Sequence, residues 1–178
     1  MLDDLRLIHQ RDSQDLLGAA ARRWAAVPGA AAWRPQSATA DNLAKQLALE
    51  LMGKSVVVYA AAPLAGAAVE WKRMLNRHAR QLAWSGELAD GEITSWTGQP
   101  VNKQYGVVRL RSSHESADER QQFTEAARLL SGRWPEPTDV WPEAESLQMQ
   151  QAYCQALGEF VALYLALLNG FDPAKRVL

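Results

Sequence analysis

The sequence predicts an α/β domain, a mostly parallel sheet with helices packed on both faces, and three observations carry that expectation. The run SVVVYAA at 55–61 is continuously apolar and rich in β-branched residues, as in strands buried on both faces. Strand-like and helix-like segments alternate along the chain, which implies a doubly wound sheet with right-handed crossovers. The 178 residues, 48% of them hydrophobic, supply one continuous core and are too few for two ordinary domains.

Each element has a local reason. Leu2, Leu5, Ile8, Leu16, Ala19, Ala20 and Trp24 fall near one helical stripe, with Asp3 and Asp4 in the first turn, so a helix is predicted over 3–26. Val27, Pro28 and Gly29 stop it, and a loop anchored by Trp33 runs to Gln36. A second helix is predicted from Thr39 to Met52, capped by Asp41 or Thr39, with Leu43, Leu47 and Leu51 on its apolar face. After the strand at 55–61, Pro63 and Leu64 open a helix that turns Ala65, Ala68, Val69, Met74 and Leu75 inward. Further strands are predicted at 81–85, 105–111 and 138–142, and a helix at 116–130. The last helix, 147–169, buries Leu157, Val161, Tyr164, Leu165 and Leu168 and ends at Gly170, the residue type suited to a left-handed cap.

Bulk composition narrows the function classes. Nineteen basic against 20 acidic side chains leave a net charge of −1, without the basic surplus that gripping nucleic acid requires. Cys154 is the one cysteine and forms no intrachain disulfide, and His9, His78 and His114 have no zinc spacing. No metal and no cofactor is expected. No apolar run approaches the roughly 20 residues of a membrane span, and the charged N-terminus is unlike a signal peptide, so a cytoplasmic protein with no membrane partner is expected.

Parallel sheets bind ligands beyond the carboxyl ends of their strands. The first such end, Ala61-Ala62-Pro63, offers small residues and a helix start, an anion site or equally an ordinary tight turn. Lys72, Arg73, Arg77, His78 and Arg80 cluster at the end of the helix that follows, where the dipole alone explains them. Glu87, Asp90 and Glu92 lie just past the second strand, at the rim of the expected crevice or simply in solvent. Seven tryptophans at irregular spacing read as packing residues, and no serine sits in a nucleophile elbow.

Three stretches together resemble the C-terminal half of the bifunctional phosphoglucose/phosphomannose isomerases, of the sugar isomerase (SIS) superfamily. They are NLAKQLALELMGKSVVVYAAAPLAGAAVEWKRMLN, GVVRLRSSHESADERQQFTEAARLL and GEFVALYLALLNGFDPAKRVL, covering most of the chain from Asn42 to Leu178. The resemblance implies a three-layer α-β-α sandwich on a five-stranded SIS-type sheet over 37–178, with residues 1–36 as an N-terminal helix and loop. It also implies aldose–ketose isomerisation of glucose 6-phosphate or mannose 6-phosphate to fructose 6-phosphate through an enediol, a carboxylate moving the proton and a histidine assisting ring opening.

The chain departs from that pattern where the chemistry lies. The family has glutamate after the asparagine of its tryptophan-lysine helix, and here Asn76 is followed by Arg77. In the loop after the second strand Glu87 and Glu92 match, but Asp90 stands at the histidine position. Glu87 and Asp90 are therefore the catalytic candidates, and Ala61, Ala62, Arg77 and His78 the substrate-binding candidates. Two functions are carried forward: an isomerase completed by a second SIS domain or a homodimer partner, and a non-catalytic SIS module that binds sugar phosphates or serves dimerisation. The length suggests the second half of a two-domain architecture with its final helix trimmed, and Leu5, Ile8, Leu16 and Leu17 suggest a dimer contact.

Overall fold

The protein is described from a computed structural model, which covers residues 10–87, 104–132 and 134–173. Chain order is α1 (Gln10–Arg23), α2 (Leu43–Leu51), β1 (Ser55–Ala60), α3 (Ala65–Met74), β2 (Ala83–Glu87), β3 (Tyr105–Leu110), α4 (Ala117–Leu130), β4 (Thr138–Val140) and α5 (Leu147–Leu168). The strands form one parallel sheet in the order β2-β1-β3-β4. Among the described residues the sheet has four strands, where five were expected.

Period-two alternation divides β1 between two unequal cores. Val56, Val58 and Ala60 join Leu47, Trp71, Leu157 and Phe160 in a large apolar cluster beneath α2, α3 and α5, and Leu17 and Ala20 of α1 and Trp33 extend it. On the opposite face Val57 and Tyr59 meet Val107, Phe123 and Ala126 of α4, and Trp134. The α-β-α sandwich is therefore lopsided, with its weight on the α5 side.

Local chemistry explains most boundaries. Ser116 caps α4 through a capping box, accepting from the Glu119 N–H while the Glu119 carboxylate accepts from the Ser116 N–H. Ser146 caps α5 by accepting from Met149 N. The chain leaves α5 through Asn169 and Gly170, the glycine at φ 76° as its cap position demands.

Several expectations need correction. Thr39 and Asp41 do not cap α2; residues 39–41 make a separate tight turn and Asn42 is the cap, its Oδ1 accepting from Lys45 N at 3.0 Å. The reason is tertiary, because Asn42 Nδ2 also donates to Arg34 O at 3.1 Å and so fixes where the helix begins. Val69 points outward, 47% exposed. Leu17 is buried at 4% against the main core, which leaves it no surface for a second copy, while Leu5 and Ile8 lie outside the described residues. Finally, α5 does reach span length: an 18-residue window has mean hydropathy 1.2. That window is 67% buried inside the domain, as befits the central core helix.

Candidate functional site

The topology fixes where a crevice belongs. β1 lies beside β3, yet the connection leaving β1 runs through α3 on one face and the connection leaving β3 runs through α4 on the other. The loops after these two strands therefore part at the carboxyl edge of the sheet, the usual ligand position in such folds.

That edge is laced together by the chain itself. Ala62 N–H donates to Glu119 Oε1 at 2.8 Å, while Ser116 N–H donates to Glu119 Oε2 at 2.7 Å. One carboxylate thus bridges the two loops and stands where an anionic ligand's oxygens would go. Burial acts to raise its pKa, but the hydrogen bonds from Ser116 and Ala62, with Arg120 nearby, outweigh it and hold the carboxyl below its ordinary range. Beside it Gln151 Nε2 donates to Pro63 O at 3.0 Å. Buried Gln150 accepts from Ser112 Oγ at 2.6 Å and donates to Ser113 Oγ and to Ala144 O. His114 Nε2 lies 2.8 Å from Glu145 O, a contact that requires the proton on Nε2. Ser112 and His114 are thereby occupied as loop fasteners.

Of the predicted residues, Ala61 and Ala62 lie at this edge. Ala61 is buried in the smaller core at 2%, so its contribution is packing, while Ala62 is exposed with its N–H taken by Glu119. Glu87 ends β2 in register with Ala60 and shares the edge. Asp90 lies outside the described residues.

Arg77 and His78 are elsewhere. After Met74 the helix widens into one π-helical turn, Leu75–Ala79, closed by Arg80 at φ 50°. This turn sits at the amino edge of the sheet, where Asn169 Nδ2 donates to Ala79 O. Fifteen residues of helical chain separate Ala62 from Arg77, about 20 Å at 1.5 Å per residue. Arg77 is exposed and His78 half-buried, and among the described residues neither has an ion-pair partner. The predicted substrate-binding set is therefore split between opposite ends of α3.

Sequence reasoning missed the residues that organise both edges. Asn76, next to Arg77, takes the Ala83 N–H on Oδ1 at 3.0 Å and donates Nδ2 to Ala83 O at 3.2 Å, so its amide acts as a neighbouring strand on the side of β2 that no described strand pairs. Glu119 carried a readable signal, the serine-x-x-glutamate of a capping box, but its partner Ala62 is 57 residues away. On the α4 face, buried Glu115 holds Arg111 through two hydrogen bonds of 2.8 Å. Arg111 also stacks on Phe123 and Trp141, and Glu115 is the first cause of its raised pKa. Arg109 pairs with Asp139 at 2.5 Å. A cavity of about 30 Å³ under Trp134 and Tyr59 has room for little more than a water. Among the described residues no group of three or more His, Cys, Asp or Glu is placed to hold a metal ion.

A parallel sheet with this order, helices on both faces and a carboxyl-edge crevice define an open, doubly wound α/β domain. The profile of the bacterial phospho-glucose isomerase C-terminal SIS domain matches residues 40–176, and the chain belongs to that family. Among solved structures it is similar to a glucose-6-phosphate isomerase like protein from Thermus thermophilus, with TM-score 0.60 and 20% identity. That likeness, a likeness of fold, covers 92% of this chain and 53% of the other, so the chain spans about half that protein's length. No curated protein matches it.

Proposed function

We propose that the chain is the sugar-phosphate-binding C-terminal half of an aldose–ketose isomerase, acting on glucose 6-phosphate and mannose 6-phosphate, and that it holds no complete active site by itself. The separation of the candidates carries this reading. Glu87 ends β2 at the carboxyl edge, about 13 Å along the strand from Ala83, while Arg77 sits next to Asn76, which bonds Ala83 at the amino edge. We read the two positions as parts of a site that one copy does not complete. Arg77, exposed and with no carboxylate partner among the described residues, would take the phosphate, with His78 beside it, and the proton-transferring carboxylate would come from another SIS domain or a second copy. General-base catalysis contributes about 10²- to 10⁴-fold, so an isolated copy would turn over sugar phosphate negligibly. We read residues 37–178 as the SIS unit and the cytoplasm as its compartment.

The test is a coupled isomerase assay on both sugar phosphates across chain concentration, beside light scattering. We expect no turnover where the chain is monomeric, and turnover per chain that rises with association or on adding a second SIS domain. Constant turnover per chain down to monomeric concentrations would overturn the proposal. A second reading, a module that binds but never catalyses, is favoured by the Glu119 bridge across the crevice. It predicts glucose 6-phosphate binding, weakened in Arg77→Gln, with no turnover at any concentration.

A further inference from the structure

An open cleft lies outside the family's matched residues. Between α1 and the segment 34–36 the surface opens into a cleft of about 630 Å³, within the usual range for small-ligand sites. Its residues all precede position 40, where the family match begins. Ala21 and Ala25 give the α1 side a low apolar floor; Arg22 lies along that side with Nη1 over Gly18, 3.5 Å from where a Cβ would stand, and Arg34 and Pro35 form the other. Among the described residues no carboxylate lines the cleft and neither arginine has an ion-pair partner.

Both walls are fixed before any ligand arrives. Lys45, 1% exposed, is the one cationic side chain buried this deeply among the described residues. Its Nζ donates to Pro35 O at 3.0 Å and to Ser37 O at 2.8 Å, while Asn42 Nδ2 holds Arg34 O. Burying an ammonium is costly, and here its hydrogen bonds hold the backbone of one cleft wall in place. The other wall is pinned where α1 ends: Glu159 of α5 accepts from Arg23 Nη1 at 2.9 Å and from Trp24 Nε1 at 2.6 Å. A rigid cleft spends little binding energy on ordering itself.

We propose that this cleft binds a phosphate monoester with a small apolar body, its dianion shared between Arg22 and Arg34 and its body resting on Ala21, Ala25 and Pro35. Two guanidiniums match a dianion in charge and offer the forked donors that phosphate oxygens accept.

Phenyl phosphate is the probe, titrated into the full chain by calorimetry and followed by amide chemical shifts, with phenol and inorganic phosphate as partial probes. Phenyl phosphate should bind at submillimolar concentration and shift the Gly18, Ala21 and Arg34 amides. Phenol and inorganic phosphate should each bind at least tenfold more weakly, and Arg22→Gln or Arg34→Gln should weaken phenyl phosphate at least tenfold. Arg128→Gln, at an exposed position on α4, should leave this binding unchanged, which separates the cleft from a general loss of positive charge. Both substitutions are at exposed positions, and an unchanged thermal midpoint would confirm folding. No binding at millimolar phenyl phosphate, shifts confined to other residues, or an affinity in either arginine variant equal to the parent's would overturn the proposal.

Discussion

Gly158 on α5 lies directly against the indole of Trp71 on α3: a Cβ at 158 would stand 2.5 Å from Nε1 and 2.6 Å from Cδ1. The same indole N–H donates to Cys154 O at 2.6 Å, one turn earlier on α5. Trp71 is fully buried, so the ring has no open space into which to retreat. In an exposed helix, replacing glycine by alanine stabilises by about 1 kcal/mol. Here overpacking should win, and Gly158→Ala should destabilise by about 1–3 kcal/mol net. Urea unfolding followed by Trp fluorescence measures it; a stabilised variant would mean that α3 and α5 separate freely.

Asn76 makes a different kind of contact, since its amide occupies the N–H and C=O that Ala83 turns toward the open side of β2. Unpaired edge groups invite another strand. Asn76→Ala should cost about 1 kcal/mol for each lost hydrogen bond and promote association through β2. Light scattering over a concentration series checks this. A variant whose mass distribution and urea midpoint match the parent's would show that water serves the edge equally well.

Glu119 ties stability to pH. Its folded-state pKa is depressed, so the carboxylate stabilises the fold above the ordinary carboxyl pKa of about 4.3, and that contribution is lost as pH falls through the lower folded value. Glu119→Gln should therefore lower the urea midpoint at pH 7 and have little effect near pH 2. A gap between the two proteins that stays constant from pH 7 to pH 2 would show that the bridge does not depend on charge.

How far the sequence could be read follows from the range over which each feature is encoded. β1 announces itself in six adjacent residues and α5 in its apolar run closed by Gly170, so both were legible. Local pattern also located α4, whose cap, Ser116, is encoded three residues from Glu119. The α2 boundary was not legible, because Asn42 becomes the cap through Arg34, in a loop eight residues away. Val69 fitted an apolar pattern yet faces outward, since hydrophobic identity does not say which face a neighbour covers. The candidate site suffered most. Ala62 and Arg77 were each plausible from local chemistry, but only the course of α3 shows that they occupy opposite edges. The Glu119 contact with Ala62 was beyond reach, because nothing near either residue names the other.

The lopsided sandwich bears on biosynthesis. The helix α5, which packs against α2 and α3 in the cluster that holds Val56, Val58, Ala60 and Trp71, is the last described element to be translated. Until it emerges from the ribosome, the larger face of the sheet has only α2 and α3 against it and presents a broad apolar surface to solvent or to a chaperone. Completion of this domain is therefore tied to the synthesis of α5, and a ribosome stalled before Leu147 holds a chain that is sticky rather than half-finished.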